Sequence, residues 1–238
     1  MKIALLGYGK MGRAIEEIAI KRGHEIALKI DVDTASQFNA ENVQGIDAAI
    51  EFTGPTSAFG NVIKCLQFKL PVVCGSTGWL EKWREVVSYC QQNDGAMVYA
   101  SNYSVGVNIF FEVNKKLAQL MAQQSDYEIS LEEIHHTQKK DAPSGTAVTL
   151  AEQLLDQISR KKKWVNEPTD NKEELEIISA RIDPAPGTHK VRYHSQVDDI
   201  EIIHTAHNRT GFATGAVLAA EFIVGKKGLY EMKDVLGL

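Results

Sequence analysis

The sequence has few of the features that would mark a secreted or membrane protein. Its three cysteines, Cys65, Cys74 and Cys90, form neither a CxxC pair nor a closed disulfide framework. No run approaches the roughly 20 apolar residues that span a bilayer. The short apolar run at the N-terminus is interrupted by Gly7 and Gly9, and no cleavage site follows it. We therefore expect a cytoplasmic protein with reduced thiols and no membrane partner.

The chain also has no excess of positive charge. Lys and Arg number 26 against 31 Asp and Glu, and the net charge of -5 argues against a nucleic-acid partner. The basic run at 160–163 is interpreted as a solvated helix end instead of a binding patch. With 238 residues, the chain is long enough for a substantial core in one large domain or two small ones.

Short apolar runs alternate with helical patterns through the first hundred residues. Near-continuous Val, Ile and Leu runs separated by helices are typical of a parallel sheet covered on both faces. We predict an α/β fold with a Rossmann-like doubly wound sheet. The predicted strands are 3–6, 25–30, 46–52, 70–74 and 97–100. One predicted helix begins after Gly12, and two others cover 56–68 and 80–91.

The pattern changes after residue 105. Period-two alternation predicts a second α+β domain with a mixed or open sheet. Its predicted helices are 107–123 and 144–159, and its strands are 127–134, 175–180, 190–195 and 200–205. The segment 161–174 is predicted to be a mobile loop, and a buried helix at 211–224 to return to the first domain. The predicted domains are 1–104 with 212–238, which would bind a dinucleotide, and 105–211, which would bind substrate and form oligomers.

The stretch GYGKMG places Gly7, Gly9 and Gly12 in the G-x-G-x-x-G spacing, after a strand and at the start of a helix. The first glycine permits the tight turn, the second lets the backbone approach a pyrophosphate, and the third allows close helix packing. About 20 residues beyond Gly12, the second strand ends at Asp31, where a ribose-binding acid is expected. A plain glycine turn is the alternative, but this context favours a dinucleotide site.

Asp31 also bears on the choice of nicotinamide nucleotide. A carboxylate there accepts hydrogen bonds from the ribose hydroxyls and repels a 2′-phosphate. Val32 follows, where an arginine would help to bind that phosphate. We expect NADH to be favoured over NADPH, although Lys10 and Lys29 could contribute positive charge.

Two further loops follow strand ends on the same edge of the predicted sheet, FTGP at 52–55 and GSTG at 75–78. Their small, hydroxyl-bearing residues would let a planar ring and its carboxamide lie close to the backbone. A plain turn with a helix cap is the alternative, and composition alone favours it. The candidate contacts to nicotinamide are Thr53, Gly75, Ser76 and Thr77.

The stretch IHHTQKKDAPSGTA at 134–147 gathers cationic and hydrogen-bonding groups at a helix start. His135 and His136 end a predicted strand, so their side chains leave toward opposite faces. No plausible metal-ligand spacing is completed, and no metal is expected. The hydroxyls of Ser144 and Thr146, the bare backbone of Gly145, exposed helix amides and a nearby ammonium would make a carboxylate pocket. A simple capped helix is the alternative, and the two readings are compatible.

Several stretches together resemble the dihydrodipicolinate reductase family across essentially the whole chain. They are GYGKMG, EFTGP, CGSTGW, ASNYSVGVN at 100–108, EIHHTQKKDAPSGTA at 133–147, HTAHNRTGFATGA at 204–216 and the ending GLYEMKDVLGL. The resemblance implies that NAD(P)H reduces a cyclic imine-type dicarboxylate, 4-hydroxy-tetrahydrodipicolinate, to tetrahydrodipicolinate in the diaminopimelate route to lysine. It also implies a homotetramer joined through the sheet of the second domain.

The resemblance further implies roles for individual residues. His135 corresponds to the general acid, and Lys139 to a lysine that binds substrate and takes part in catalysis. The positions that hold the substrate carboxylates are His136, Ser144, Gly145 and Thr146. The positions that contact the cofactor are Gly7, Lys10, Met11, Asp31, the 75–78 loop, Ala100, Ser101, Asn102 and Tyr103. Arg209 is a further candidate for cofactor contact or for bracing the domain connection, whereas His204 and His207 are interpreted as structural.

One stretch departs from the family. Residues 181–189 read RIDPAPGTH where the family usually has a glycine-containing turn before G-x-H. Two other functions stay open: another NAD(P)-dependent reductase of a small dicarboxylic or amino acid, and a non-catalytic NAD(H)-sensing regulator. A sensor has no need of a carboxylate pocket beside a proton donor, and this favours an enzyme.

Overall fold

The computed structural model describes residues 1–238 and divides into two compact units. The first consists of Met1–Val105 and Arg209–Leu238, and the second of Gly106–Asn208. None of the helices combines the length and apolar character needed to cross a bilayer.

The strands and helices follow in chain order. The strands are β1 Lys2–Leu6, β2 Glu25–Ile30, β3 Ala48–Glu51, β4 Val72–Cys74, β5 Ala96–Tyr99, β6 Glu128–His135, β7 Lys163–Val165, β8 Glu174–Arg181, β9 Gly187–His194, β10 Asp199–Ala206 and β11 Gly228–Tyr230. The helices are α1 Lys10–Lys21, α2 Pro55–Gln67, α3 Trp83–Gln92, α4 Val105–Met121, α5 Gly145–Gln157, α6 Thr210–Ile223 and α7 Met232–Leu236. Short 3-10 helices cover Val32–Gln37 and Leu80–Lys82.

The first unit contains a six-stranded parallel sheet in the order β11-β5-β4-β3-β1-β2. Successive residues of β1 enter different cores, because side chains alternate across a strand. Ile3 and Leu5 pack with α1 and α6, whereas Ala4 and Leu6 pack with α2 and α3. This confirms the predicted Rossmann-like fold.

The second unit contains a five-stranded sheet in the order β10-β9-β6-β8-β7. β6 runs parallel to β8 and antiparallel to β9, which confirms the predicted mixed sheet. One face of β6 is buried, and Ile129 and Leu131 on that face share a core with residues of α4 and α5. The opposite face carries exposed and half-buried side chains, among them Lys190 and Ile203.

The basic run at 160–163 differs from its interpretation as a solvated helix end. Arg160 donates hydrogen bonds to the carbonyls of Ala122 and Tyr127, both at 3.0 Å. Lys161 is 5% exposed, and its ammonium donates to the carbonyl of Glu174 at 2.7 Å. That interpretation is wrong for these two residues, because their charges satisfy backbone carbonyls. The following loop also contains β7, which the sequence analysis did not predict.

Candidate active site

His135 and Glu133 lie on the same buried face of β6. The period-two alternation of a strand brings residues two apart onto one side. Glu133 is 0% exposed and His135 8% exposed. One oxygen of the Glu133 carboxylate contacts His135 Nδ1, and the other accepts a hydrogen bond from Arg181 at 2.9 Å. The buried carboxylate therefore has a partner at each oxygen, as a buried charge requires.

The electrostatics favour an ionised Glu133. Burial alone would raise the pKa of this carboxyl, but hydrogen bonds from His135, Ser179 and Arg181 outweigh it and lower the pKa to about 2. A carboxylate at Nδ1 fixes a proton on that nitrogen and leaves Nε2 as the reactive one. Nε2 lies beside Gly187, where a Cβ atom would be only 3.0 Å away. The absent side chain thus keeps this nitrogen uncrowded.

Ser144 and His189 form a second pair next to the first. Ser144 Oγ lies 3.0 Å from His189 Nε2 and accepts the N–H of Ala147 at 3.2 Å. The hydroxyl can therefore donate its proton to the imidazole. The rings of His189 and His135 have centroids 5.2 Å apart. Burial, and then the neighbouring His135, lower the pKa of His189 to about 3, so that it is neutral near pH 7.

Lys139 and the start of α5 supply the groups that could bind an anion. The Lys139 ammonium contacts both carboxylate oxygens of Asp141 at 2.9 Å. Ser144 caps α5, and the first turn contains no acidic residue, so the positive end of the helix dipole is not neutralised locally. A Cβ atom on Gly145 would have nothing within 4 Å, which leaves room for a ligand there. His136 is half-buried at the end of the strand.

The glycine loop of the first unit fits a dinucleotide. Gly7 has φ +93°, and a Cβ atom there would lie 2.4 Å from the Phe52 carbonyl oxygen. A Cβ atom on Gly12 would lie 2.3 Å from the Gly7 carbonyl oxygen. One on Gly9 would meet nothing within 4 Å, and this residue begins α1 without a side-chain cap. Packing therefore requires Gly7 and Gly12, whereas Gly9 leaves space and free amides for a phosphate.

Asp31 lies directly after β2. One of its carboxylate oxygens accepts the N–H of Val32 at 2.9 Å, and its own N–H donates to Thr34 Oγ1 at 2.8 Å. Two residues earlier, the Lys29 ammonium lies 2.6 Å from Glu16 and 4.8 Å from the centre of the Tyr8 ring. The charge of Lys29 is therefore already compensated inside the unit. Lys10 is exposed and Met11 is half-buried in the first turn of α1.

A buried carboxylate organises the two loops proposed for nicotinamide. Glu51 is 0% exposed and accepts the N–H of Thr53 at 3.0 Å. Its other oxygen accepts from Cys74 Sγ at 3.2 Å. The Phe52 ring occupies the space beside Gly75, where a Cβ atom would lie 2.2 Å from it. Glu51 thus joins the ends of β3 and β4, and sequence analysis did not identify it as a site residue.

The remaining cofactor candidates differ in what their side chains can do. The Tyr103 ring is buried, and its hydroxyl lies 2.9 Å from the Cys74 carbonyl and 3.1 Å from that of Val98. This side chain supports the sheet edge, so any contact with a cofactor would use its backbone. Ser76 is buried and Arg209 immediately precedes α6. The exposed or half-buried candidates are Thr77, Ala100, Ser101 and Asn102.

The fold places beside His135 three residues that the sequence analysis did not identify as site residues. They are Glu133, Arg181 and His189. The signal for Glu133 was its position two residues before His135 in an alternating strand. The other two lie in RIDPAPGTH at 181–189, and only the pairing of β6 with β8 and β9 reveals them. His204, by contrast, packs against Phe110 with ring centroids 6.0 Å apart, consistent with its structural interpretation.

Glu133, His135 and His189 also form the arrangement that could hold a metal ion. Their donor atoms lie within 4.8 Å of one another. However, the Arg181 guanidinium already places a positive charge on the same carboxylate. The carboxylate is thus neutralised by the protein itself.

Together, a parallel-sheet unit with an open glycine loop and a mixed-sheet unit with a buried His–Glu pair beside a helix start define an NAD(P)-dependent oxidoreductase. Residues 1–103 match the family described as dihydrodipicolinate reductase, N-terminus, and residues 106–236 match dihydrodipicolinate reductase, C-terminus. The chain belongs to the dihydrodipicolinate reductase family.

Individual relatives agree with this assignment. The chain is 50% identical over 236 residues to a 4-hydroxy-tetrahydrodipicolinate reductase of Christiangramia forsetii, covering 99% of the chain and 98% of the relative. It is 34% identical to the enzyme of that name from Methanoregula boonei, covering 100% and 98%. The dipicolinate-bound dihydrodipicolinate reductase from Paenisporosarcina sp. TG-14 has the same fold, with a TM-score of 0.77, 21% identity and 97% of both chains covered.

Proposed function

We propose that the cluster around His135 performs the reaction of this family. The chain is a 4-hydroxy-tetrahydrodipicolinate reductase, which uses NAD(P)H in the diaminopimelate route of lysine biosynthesis. The observation that carries the assignment of the site is the buried pair of His135 and ionised Glu133 beside the start of α5. The match over nearly the whole chain favours this function over another reductase or a non-catalytic sensor.

His135 is the proton donor in this proposal. When bound, NAD(P)H would supply a hydride to a ring carbon of the conjugated dicarboxylate that forms once the 4-hydroxyl of the substrate has left as water. Glu133 holds the imidazole by Nδ1 and stabilises its protonated form, because an ionised carboxylate lies against it. Nε2, left uncrowded by Gly187, then gives its proton to the far end of the conjugated system, where negative charge develops.

Lys139 and the start of α5 hold the substrate carboxylates. The Lys139 ammonium is compensated by an exposed Asp141, and a substrate carboxylate can replace this partner at little cost. Backbone amides at Gly145 and Thr146, with the hydroxyl of Ser144 nearby, receive the second carboxylate. His136 contributes from the edge of the strand.

The first unit binds the nicotinamide nucleotide in this proposal, with NADH favoured over NADPH. Gly9 and the amides of α1 receive the pyrophosphate, and Asp31 receives the ribose hydroxyls. The pairing of Lys29 with Glu16 supports the preference, because it removes a cation that could have attracted a 2′-phosphate. The Arg181 guanidinium supplies the positive charge beside the proton donor, and the proposal therefore includes no metal. The buried, unpaired thiols suit a reducing cytoplasm.

Substitution of His135 tests the assignment. In purified His135→Ala, kcat is expected to fall by about 10² to 10⁴, the usual contribution of a general acid, while the Kd of NADH stays unchanged. The measurement is the loss of NADH absorbance with freshly generated 4-hydroxy-tetrahydrodipicolinate. Near-normal turnover would remove His135 from the acid role.

Lys139→Ala tests the carboxylate site separately. It is expected to raise the KM for the dicarboxylate and lower kcat, because the ammonium both binds the substrate and stabilises developing charge. Lys140→Ala is the matched control, since it removes the same charge one position further along the chain. Equal effects of the two substitutions would contradict the assignment.

A further inference from the structure

The segment between β6 and α5, residues 136–144, carries Lys139 but has no regular secondary structure. Consecutive residues at the end of β8 hold the backbone of this segment and of His135, the residue before it. Arg181 Nη2 donates a hydrogen bond to the Asp141 carbonyl at 2.6 Å. The N–H of Ile182 donates to the carbonyl of His135 at 2.7 Å. The shape of the segment therefore depends on a distant part of the chain.

Asp183, the next residue, makes a two-point contact. Its Oδ1 accepts the N–H of Thr137 at 3.1 Å, and its Oδ2 accepts the hydroxyl of the same residue at 2.6 Å. Thr137 lies inside the turn closed by the hydrogen bond from the Lys139 N–H to the His136 carbonyl, 3.1 Å long. The side-chain and backbone hydrogen bonds of Thr137 lower the pKa of Asp183. The contact is thus charge-assisted and stronger than a neutral one.

We propose that Asp183 is a positioning residue that fixes the turn bearing Lys139 and thereby sets the affinity for the dicarboxylate. The proposal rests on the function proposed above and refines its substrate site. A loop fixed before binding loses less conformational entropy when the ligand arrives, so its affinity for that ligand is higher. This gives a role to a residue of the stretch RIDPAPGTH.

The test compares full-length variants by the Kd of dipicolinate, measured calorimetrically, and by the KM of each substrate. In Asp183→Ala, both the Kd of dipicolinate and the KM for the dicarboxylate are expected to rise about tenfold, roughly the effect of one charge-assisted hydrogen bond. The KM for NADH stays unchanged. Thr137→Val combined with Asp183→Ala is expected to bind no worse than Asp183→Ala alone, because the hydroxyl contact that Thr137→Val removes is already lost in Asp183→Ala.

Two further variants separate the role of the hydrogen bonds from other effects. Asp183→Asn keeps two polar atoms facing Thr137 without the charge, and it is expected to bind dipicolinate within about threefold of the wild type. Asp198→Ala is the matched control. It removes an exposed carboxylate from the turn between β9 and β10, where Asp198 accepts the Tyr127 hydroxyl at 2.5 Å. Wild-type affinity for dicarboxylates is expected in this variant.

The outcomes are distinguishable. A lower melting temperature of Asp183→Ala with unchanged Kd of dipicolinate means a merely structural role and overturns the proposal. Additive effects of the Thr137 and Asp183 substitutions overturn it as well. If Lys139→Ala binds dipicolinate like the wild type, the proposed substrate site itself is wrong. If Lys139→Ala binds weakly and Asp183→Ala normally, only the positioning role is lost.

Discussion

Glu133 provides a fully buried negative charge against His135. Glu133→Gln keeps the shape of the side chain but removes the charge that stabilises a protonated imidazole. It also leaves the Arg181 guanidinium without its ion pair, which costs stability. We expect kcat to fall about ten- to hundredfold, a large part of the general-acid contribution, with little change in the KM for NADH.

Glu132→Gln is the matched control for this prediction. Glu132 lies on the opposite face of β6, where its carboxylate is 3.4 Å from the Lys190 ammonium. The same charge is removed from the same strand without touching His135, so turnover should be nearly normal. Steady-state kinetics of the two purified variants decides the point, and equal losses of kcat would contradict the role of Glu133.

His189 makes stability depend on pH. Its pKa is about 3 in the folded chain against an ordinary value of 6.5, so only the unfolded state takes up the proton between these values. Stability is therefore unaffected above about pH 6.5 and falls as the pH decreases. Between pH 6.5 and 5, the free energy of unfolding should fall by about 1 to 2 kcal/mol through this residue.

Urea unfolding at pH 8, 6.5 and 5 measures this effect. His189→Gln retains a polar partner for Ser144 but cannot titrate. In this variant, the decrease in the free energy of unfolding between pH 6.5 and 5 should be smaller by the contribution of His189. His204, whose pKa is lowered by burial and then by His207, adds a smaller effect of the same sign in both proteins. Glu133 contributes only below its ordinary pKa of 4.5, outside this range. Parallel curves for the two proteins would refute the prediction.

At the scale of elements, β2 and α1 together set the charge around the proposed ribose site. Lys29 lies two residues before Asp31 in an extended backbone, so strand alternation places both side chains on one side. Glu16→Gln would release the Lys29 ammonium from its ion pair. We expect the ratio of kcat/KM for NADPH to that for NADH to rise about two- to fivefold, the range for one partly exposed ion pair.

Glu17→Gln is the control for this change in cofactor preference. Glu17 is the next residue of α1, and it pairs instead with Lys21 in an exposed contact within the helix. Both substitutions remove one negative charge from the unit, but only one frees Lys29. Kinetic titration with NADPH and NADH should show a weaker preference for NADH in Glu16→Gln but not in Glu17→Gln. Equal changes of the kcat/KM ratio in both variants would count against the prediction.

Elements were predictable from the sequence to the extent that their patterns were long. Strands β1, β2 and β6 have five, six and eight residues, enough for a pattern to be visible, and the shorter β4 lies within the longer run LPVVC at 70–74. The three-residue strands β7 and β11 do not, and their extended backbone is set by the neighbours with which they pair. The error at Arg160 and Lys161 has a different cause, because the carbonyls that accept their hydrogen bonds lie elsewhere in the chain.

At the scale of the whole molecule, the uncovered face of the second unit's sheet fits the proposed homotetramer. Ile203 on β10 is 55% exposed on this face, opposite Lys190 of β9. Ile203→Glu would place a charge in an interface formed there, so we expect light scattering to give a mass below four times the 26.3 kDa of one chain.

Ile20→Glu is the control for assembly. Ile20 is 57% exposed on α1 of the first unit and is not part of the second unit's sheet, so the variant should keep the wild-type mass. A tetramer in both variants would show that the subunits do not associate through this face. A monomeric wild type would contradict the homotetramer altogether.

The sequence by itself determined the class of fold, the glycine loop and the segment with His135, Lys139 and Ser144, because these depend on local periodicity and on motifs of neighbouring residues. It left undecided how the charges of that segment are compensated. Glu133, Arg181 and His189 meet only when β8 and β9 pair with β6, and Asp183 reaches Thr137 from 46 residues away. Strand pairing is non-local, so only the tertiary structure decides which side chain each buried charge receives as its partner.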